Sequence, residues 1–413
     1  MEERDAVAWL YRRAAFGASP AELNAAAGRG AAAELERLLD PSGLGGAPTT
    51  DRWDDSLLPV DPKDRPSKFY GITQWLETLA GSDRPLVDRI AWMWHGHFVS
   101  ALDKVRIARL MVGQARLFRT AGLGSFRDLL HAVTIDPAML VYLDLRDSTG
   151  LQPNENYARE VMELFTLGVG NYTEADVKAA AVALTGWRLQ QKVGVHFVER
   201  NHDDGPQRFL GVDDVHDLGT VVDALMAQPA LPLFIARTVA AELLGVTDDA
   251  LVARLAEQFV ASGFDIRSLV RATLLEGLAG QSAPIVLGPV AWYAIARRVT
   301  GARPAKRDTL NLLRSAGQLP MLPPNVAGWP GGAAWFGASS LVARANLAVV
   351  IATTATDTDV LAAARGDDTG VLAAVLGLPS AGFGAESEAA LAAAPAGADR
   401  LAVALLTPEF MIA

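Results

Sequence analysis

Apolar residues recur three and four positions apart along most of this chain, for example at Leu225 and across 233–239 and 251–259, while strict apolar/polar alternation is scarce. That period predicts helices with one buried stripe each. Helix starts punctuate the pattern. Ser19-Pro20-Ala21-Glu22 sets an N-cap, a proline at the first helical position and a carboxylate three residues after the cap, a capping box opening an Ala/Leu helix to about Leu39. Thr173-Glu174-Ala175-Asp176 repeats the device with Asp in the Glu place, and Asp136-Pro137 and Ser82 to Pro85 are further starts. One stretch departs from the helical period. Segments 193–199 and 207–210 are short and rich in β-branched or aromatic residues, and they flank the turn formers Asn201 to Pro206, which predicts a hairpin or long loop. The predicted class is mainly α: a multi-helix globular body with one short β-hairpin.

Proline and glycine interrupt the pattern twice. Segment 41–66 is predicted to wrap the surface as an irregular strap. Segment 317–337 contains Pro320, Pro323-Pro324, Gly328-Trp329-Pro330 and Trp335 and cannot be helical throughout. From Thr353 onward Ala, Gly and Asp dominate and aromatics thin out, which divides the chain into a main domain, 1–352, and a less tightly packed helical subdomain, 353–413.

Composition then narrows the function classes. The chain has 413 residues, half of them hydrophobic and a fifth charged, as expected of a globular protein with a large core. A net charge of -10 offers no basic footprint for nucleic acid. One helical pattern runs the other way: Lys104, Arg109, Arg116 and Arg119 lie opposite Ile107, Leu110, Leu117 and Phe118, a solvated face or a dock for an acidic partner. Zero cysteines exclude disulfides, thiolate metal sites and a cysteine nucleophile. The charged start Met1-Glu2-Glu3-Arg4-Asp5 carries no export pattern and no stretch has the length and purity of a membrane span, so a soluble, cytoplasmic location is expected.

Candidate chemistry gathers in three clusters that hold three of the six histidines. The first is His95-Gly96-His97. Leu86, Ile90, Met93 and His97 share one stripe of an unbroken helix and His95 lies far around it, so the two imidazoles serve one ligand only if Gly96 ends the helix and the chain turns back. A paired His-x-His suits a divalent transition metal; a core histidine beside a surface one is the plainer alternative. In the second cluster Asn154 opens a helix whose flank groups Asn156, Glu160 and Glu163, carboxylates able to hold a cation or share a proton, or simply a solvated flank; Glu155 and Arg159 form an i, i+4 pair. His202 and Asp203 sit on the predicted hairpin tip, as a third corner of a site or as an Asp turn onto nearby amides. Trp329 either lines a ligand groove or anchors its loop.

Taken in order, Trp94-His95-Gly96-His97-Phe98, Phe126-Arg127-Asp128-Leu129-Leu130, Asp136-Pro137-Ala138-Met139-Leu140, Asn154 to Glu160, Ala183-Leu184-Thr185-Gly186-Trp187, His202-Asp203 with Gly205, Phe209-Leu210-Gly211 and Pro323-Pro324-Asn325-Val326 with Gly328-Trp329-Pro330 resemble the bacterial domain-of-unknown-function 1800 (DUF1800) family. The resemblance implies a protein partner, since relatives are often encoded beside a family similar to sulfatases and phosphatases, and it implies export for many relatives. This chain departs from the family pattern at Gly96, where Asn is usual, at Phe165, where many relatives carry His, and at Gln207, where Lys is usual. Phe165 removes one candidate ligand; four remain from His95, His97, Glu160 or Glu163, and His202 or Asp203.

Two functions follow as expectations. One is a metal-assisted, hydrolase-like enzyme in which His95, His97 and His202 hold the cation, Glu160, Glu163 or Asp203 does proton work, and Asn154, Asn156, Arg159 and Trp329 bind substrate. The other is a non-catalytic helical scaffold that presents a groove to its partner while the polar motifs form buried networks.

Overall fold

The computed structural model describes residues 1–40, 53–58, 65–190 and 194–413; most of the strap predicted at 41–66, and Val193, lie outside them. The amphipathic stripes become helices, beginning with α1 (Glu3–Ala14) and α2 (Pro20–Ala27). The Ser19 box forms as predicted, but the helix stops at Gly28 and restarts after Gly30 as α3 (Ala31–Leu39). Gly30 has φ of 86°, a left-handed conformation that breaks an otherwise helical Ala/Leu run.

Next come α4 (Arg65–Gly81), α5 (Pro85–His97), α6 (Leu102–Val105), α7 (Ala108–Ala121), α8 (Phe126–Thr134), α9 (Pro137–Tyr142), α10 (Glu155–Glu160) and α11 (Glu174–Ala183). The chain then forms strands β1 (Trp187–Gln190), β2 (Gly194–Phe197), β3 (Gln207–Phe209) and β4 (Val212–Val215). Helices α12 (Leu218–Met226), α13 (Ala230–Leu244), α14 (Asp249–Ala261), α15 (Ile266–Leu278), α16 (Pro289–Thr300), α17 (Lys306–Ser315) and α18 (Ala338–Thr353) follow, and five shorter helices run from Thr358 to Met411. The protein is thus mainly α. The strand-like segments near residue 200 fall in two antiparallel pairs, β1 with β2 and β3 with β4, and the His202 loop connects the pairs.

Two apolar clusters fill the interior. One is built on α1, α3 and α8 with α10 to α15; the other on α4, α7 and α16 with the C-terminal helices. Helix α5 belongs to both, giving Leu86, Ile90, Met93 and Trp94 to the first and Trp92 to the second. It is therefore buried on almost every side rather than along one stripe. Residues 353–413 share the second cluster with α16 and α18 through Leu372, Leu401 and Phe410, and the chain end pairs back onto residues 285–287.

The four basic residues do not share one helix: Lys104 lies on α6, exposed and paired with Asp144, and the three arginines of α7 are turned to this chain's own groups. Arg109 donates to the Leu58 carbonyl and Arg116 to that of Trp53, so both hold the segment 53–58. Arg119 pairs at 2.6 Å with the wholly buried Asp88. Among the described residues no single helix is long and apolar enough to cross a membrane.

Candidate functional site

Helix α5 continues through Gly96 and ends at His97, so the two imidazoles are not turned toward each other as a Gly96 stop would allow. His95 is 1 % exposed. Its ring sits among Trp75, Trp92 and Trp329, with centroids 4.5, 5.8 and 5.2 Å away. Its Nε2 accepts the backbone N–H of Met321 at 2.9 Å. A neutral ring that accepts at Nε2 carries its proton on Nδ1 and has no lone pair left for a metal. Burial pushes its pKa down to about 3, so it stays neutral.

His97 is half-buried, and its Nε2 donates to the Phe165 carbonyl at 2.9 Å. Burial pulls its pKa down to about 4 although the carbonyl bond favours the charged form. The carbonyl it meets belongs to a π-helical turn, Val161–Thr166, that continues α10. Such turns insert a residue into the helical register and are frequent at functional sites. Here the turn leaves the Phe165 side chain fully buried against Phe98 and Tyr157. In this member, position 165 meets His97 through its carbonyl and through its ring, whose centroid is 6.1 Å from the imidazole, and offers it no ligand atom on the side chain.

The second cluster is mostly engaged in holding its own fold. Asn154 caps α10 by accepting from the Asn156 amide at 2.9 Å, and its own N–H donates to Ser148 Oγ. The Asn156 side chain donates to Asp144, which also accepts from Lys104. Arg159 ties α10 to α11 through Glu174 and bonds Glu155, its i, i+4 partner. Glu163 accepts from the Tyr172 hydroxyl, which is pushed up to about 12 by burial and by that carboxylate. Of the second cluster's carboxylates, Glu160 has no hydrogen bond among the described residues; burial and the adjacent Glu163 raise its pKa against the pull of Arg159.

The third cluster closes a knot on Thr185. The Thr185 hydroxyl donates to the Val182 carbonyl, so the Nδ1 of His202, 3.1 Å from both Thr185 oxygens, must be the donor there. The Asp203 amide donates to the same hydroxyl, and Asp203 Oδ1 accepts from the Gly205 amide. This is the Asp turn. Gly150 lets the 145–153 loop pack against it: a Cβ there would stand 2.9 Å from that of Asp203.

Structural bonds link the clusters in series: His97 meets the Phe165 carbonyl in the turn that continues α10, and the 145–153 loop spans from the second to the third, its Ser148 hydroxyl taking the Asn154 amide and its Gly150 amide donating to the Asn201 carbonyl beside His202. His97, kept neutral by burial, retains one unprotonated ring nitrogen of the kind a carbonyl-oriented metal ligand uses. Yet among the described residues no group of three His, Asp or Glu side chains is placed to hold a metal ion. The His95, His97 and His202 set does not fit one.

What does open beside the first cluster is a groove of about 620 Å³. Of the candidate catalytic, ligand-binding and metal residues read from the sequence, His97 and Trp329 line it and the others do not. Its remaining aromatic walls are Trp92, Phe234 and Trp335, with Trp92 and Trp329 stacked at 5.4 Å and 21°. Gly328, with φ of 84°, brings the Pro/Gly segment against the end of α5, where a Cβ would stand 2.7 Å from the Gly96 carbonyl. The floor residue Gln318 and the run Ile285 to Gly288 were not foreseen, although a short apolar run between Pro284 and Pro289 is a legible strand signal.

The family model described as "Protein of unknown function (DUF1800)" matches residues 9–412. The chain belongs to that family. No curated protein and no solved structure is similar enough to match.

Proposed function

We propose that this protein is a helical binding scaffold whose groove between α5, α13 and the 317–337 segment receives a protein partner, of the class similar to sulfatases and phosphatases that the family resemblance implies. The observation that carries this reading is the engagement of the motif side chains. His95, His97, His202, Asn154, Asn156, Arg159 and Asp203 each bond to this chain's own backbone or side chains, whereas the groove beside His97 is open and aromatic. A satisfied polar network rigidifies and specifies a fold, and a pre-formed concave aromatic surface is what a binding site needs.

A second reading rests on Glu160. A half-buried carboxyl with a raised pKa beside a second carboxylate is suited to proton transfer. Elemental analysis and hydrolase assays on the purified chain separate the two. The scaffold reading expects metal well below stoichiometric after refolding with zinc, manganese, iron or copper, and no hydrolysis that Glu160→Gln abolishes. Stoichiometric metal lost in His97→Ala, or turnover lost in Glu160→Gln, overturns it.

A further inference from the structure

One wall of the groove is a strand with a free edge. Ile285 and Ala413 exchange both backbone hydrogen bonds at 2.8 Å, and the Leu287 amide donates to the Met411 carbonyl at 2.9 Å, which makes Val286 and Ile412 an antiparallel non-hydrogen-bonded pair. In such a ladder the N–H and C=O of the intervening residue point away from the paired strand. Val286 therefore turns both groups away from Ile412, and neither makes a hydrogen bond among the described residues. Residues 411–413 do not line the groove; Ile285, Val286, Leu287 and Gly288 all do. The free edge thus lies on the groove side.

A second polar group stands there without a partner. Gln318 is 6 % exposed and lines the groove. Its Oε1 accepts the Val290 amide at 2.9 Å, while its Nε2 has no hydrogen bond among the described residues. An amide donor with no hydrogen bond among the described residues, set beside an unpaired strand edge, offers itself to a ligand rich in backbone carbonyls and amides. Charge narrows the choice further. The rim cations Arg89 and Arg237 are already paired with Glu242 and Asp249 at 2.6 and 2.7 Å, so neither an anion nor an acidic tail is what the groove selects.

We infer that the groove binds a neutral, extended peptide segment of a partner protein by adding it as a strand to the Val286 edge. The inference rests on the scaffold reading and names the chemistry by which that scaffold recognises its partner. The peptide exchanges main-chain hydrogen bonds with Val286, gives a carbonyl to Gln318 Nε2, and sets every second side chain, aromatic or large aliphatic, against Trp329, Phe234 and Trp335. Main-chain pairing supplies affinity in such complexes and the alternate pockets supply specificity. Pro284 has no N–H to offer and limits the docked strand to a short one.

The probe is a capped, net-neutral peptide of about eight residues alternating phenylalanine and threonine with a lysine at one end and a glutamate at the other for solubility, titrated into the full-length chain while tryptophan emission is followed. A saturable emission change is expected, and a version N-methylated on alternate residues along the pairing edge should bind at least about tenfold more weakly. Val286→Pro removes an N–H that the fold does not use and should weaken the parent peptide to a similar degree. If that variant misfolds, the N-methylated peptide on the wild type decides alone. Failure of the parent peptide to bind, equal binding of the N-methylated peptide, or saturable binding of cello-oligosaccharide in its place overturns the inference. Should Trp329→Ala abolish binding of a peptide that tolerates N-methylation, strand addition is refuted while the groove remains a partner site.

Discussion

His95 Nε2 and the backbone N–H of Met321 meet at 2.9 Å across 226 residues of sequence. Met321 has φ of 63°, and its carbonyl accepts the Leu102 amide at 2.8 Å. A non-glycine residue in the left-handed region persists only where its surroundings hold it, and here both of its peptide groups are held. One of the three histidines expected to hold a metal is thus the fastener of the Pro/Gly segment that carries Trp329.

Replacing that fastener tests its role. His95→Leu keeps the side chain apolar and of similar size but strands the Met321 amide in the interior, so it should cost about 1–3 kcal/mol in urea unfolding. It should also alter tryptophan emission, because Trp329 and Trp75 pack on the ring. An unchanged unfolding midpoint would show that the bond is incidental.

Gly328→Ala should destabilise by about 1–3 kcal/mol, since it combines a positive φ with a Cβ pressed on the Gly96 carbonyl. Gly331→Ala, where an added Cβ meets nothing, serves as the control and should unfold like the wild type. Equal midpoints for the two variants would remove the close approach from the account of the groove.

Thr185→Val preserves shape and removes the hydroxyl shared by the Asp203 amide and the His202 ring. Thr185 is fully buried, so a loss of about 1–3 kcal/mol is expected. Amide hydrogen exchange should accelerate first across 201–205. Uniform acceleration over the whole chain would mean that the knot is not a local unit.

The stability contributed jointly by His95, His97 and Asp136 should fall on acidification below about pH 6.5. His95 and His97 have folded pKa values lowered to about 3 and about 4, so from 6.5 down to 4 the unfolded chain binds two protons that the folded chain does not. Buried Asp136 acts oppositely: raised to about 7 by burial, it holds a proton in the folded state that the unfolded chain releases above 3.8. Among these three groups the balance is one net proton taken up on unfolding in that window, so their joint contribution to stability rises with pH across it, while Asp88 and Glu160, also raised by burial, act in the same sense as Asp136. Urea midpoints measured from pH 4.5 to 8 report the climb that the three groups contribute through the variants that remove them. Asp136→Asn should steepen the climb and His97→Gln flatten it; the reverse order contradicts the assignment.

Local sequence wrote much of this fold. The caps at Ser19, Thr173 and Asp136 close on the amides that their spacing designates, because each cap is satisfied within three residues of itself. The helical class followed from side-chain period for the same reason. What misled was any inference that needed to know what surrounds an element. A one-stripe reading put His95 away from the core, but α5 runs between two apolar clusters and buries nearly its whole circumference. The arginines of α7 looked solvated until Trp53 and Leu58 supplied carbonyls to two of them and Asp88 an ion pair to the third.

The sequence by itself determined where helices begin, which segments break, and the family to which the chain belongs. The tertiary structure decided which motif side chains are occupied and which surface is left open. Hydrogen-bond partners such as Met321 for His95, Phe165 for His97 and Thr185 for His202 lie 17 to 226 residues away, and the free edge at Val286 exists only because Ala413 and Met411 pair with the residues on either side of it. Side-chain periodicity and capping act within a few residues, whereas the saturation of a donor or the exposure of an edge depends on packing that no local pattern encodes.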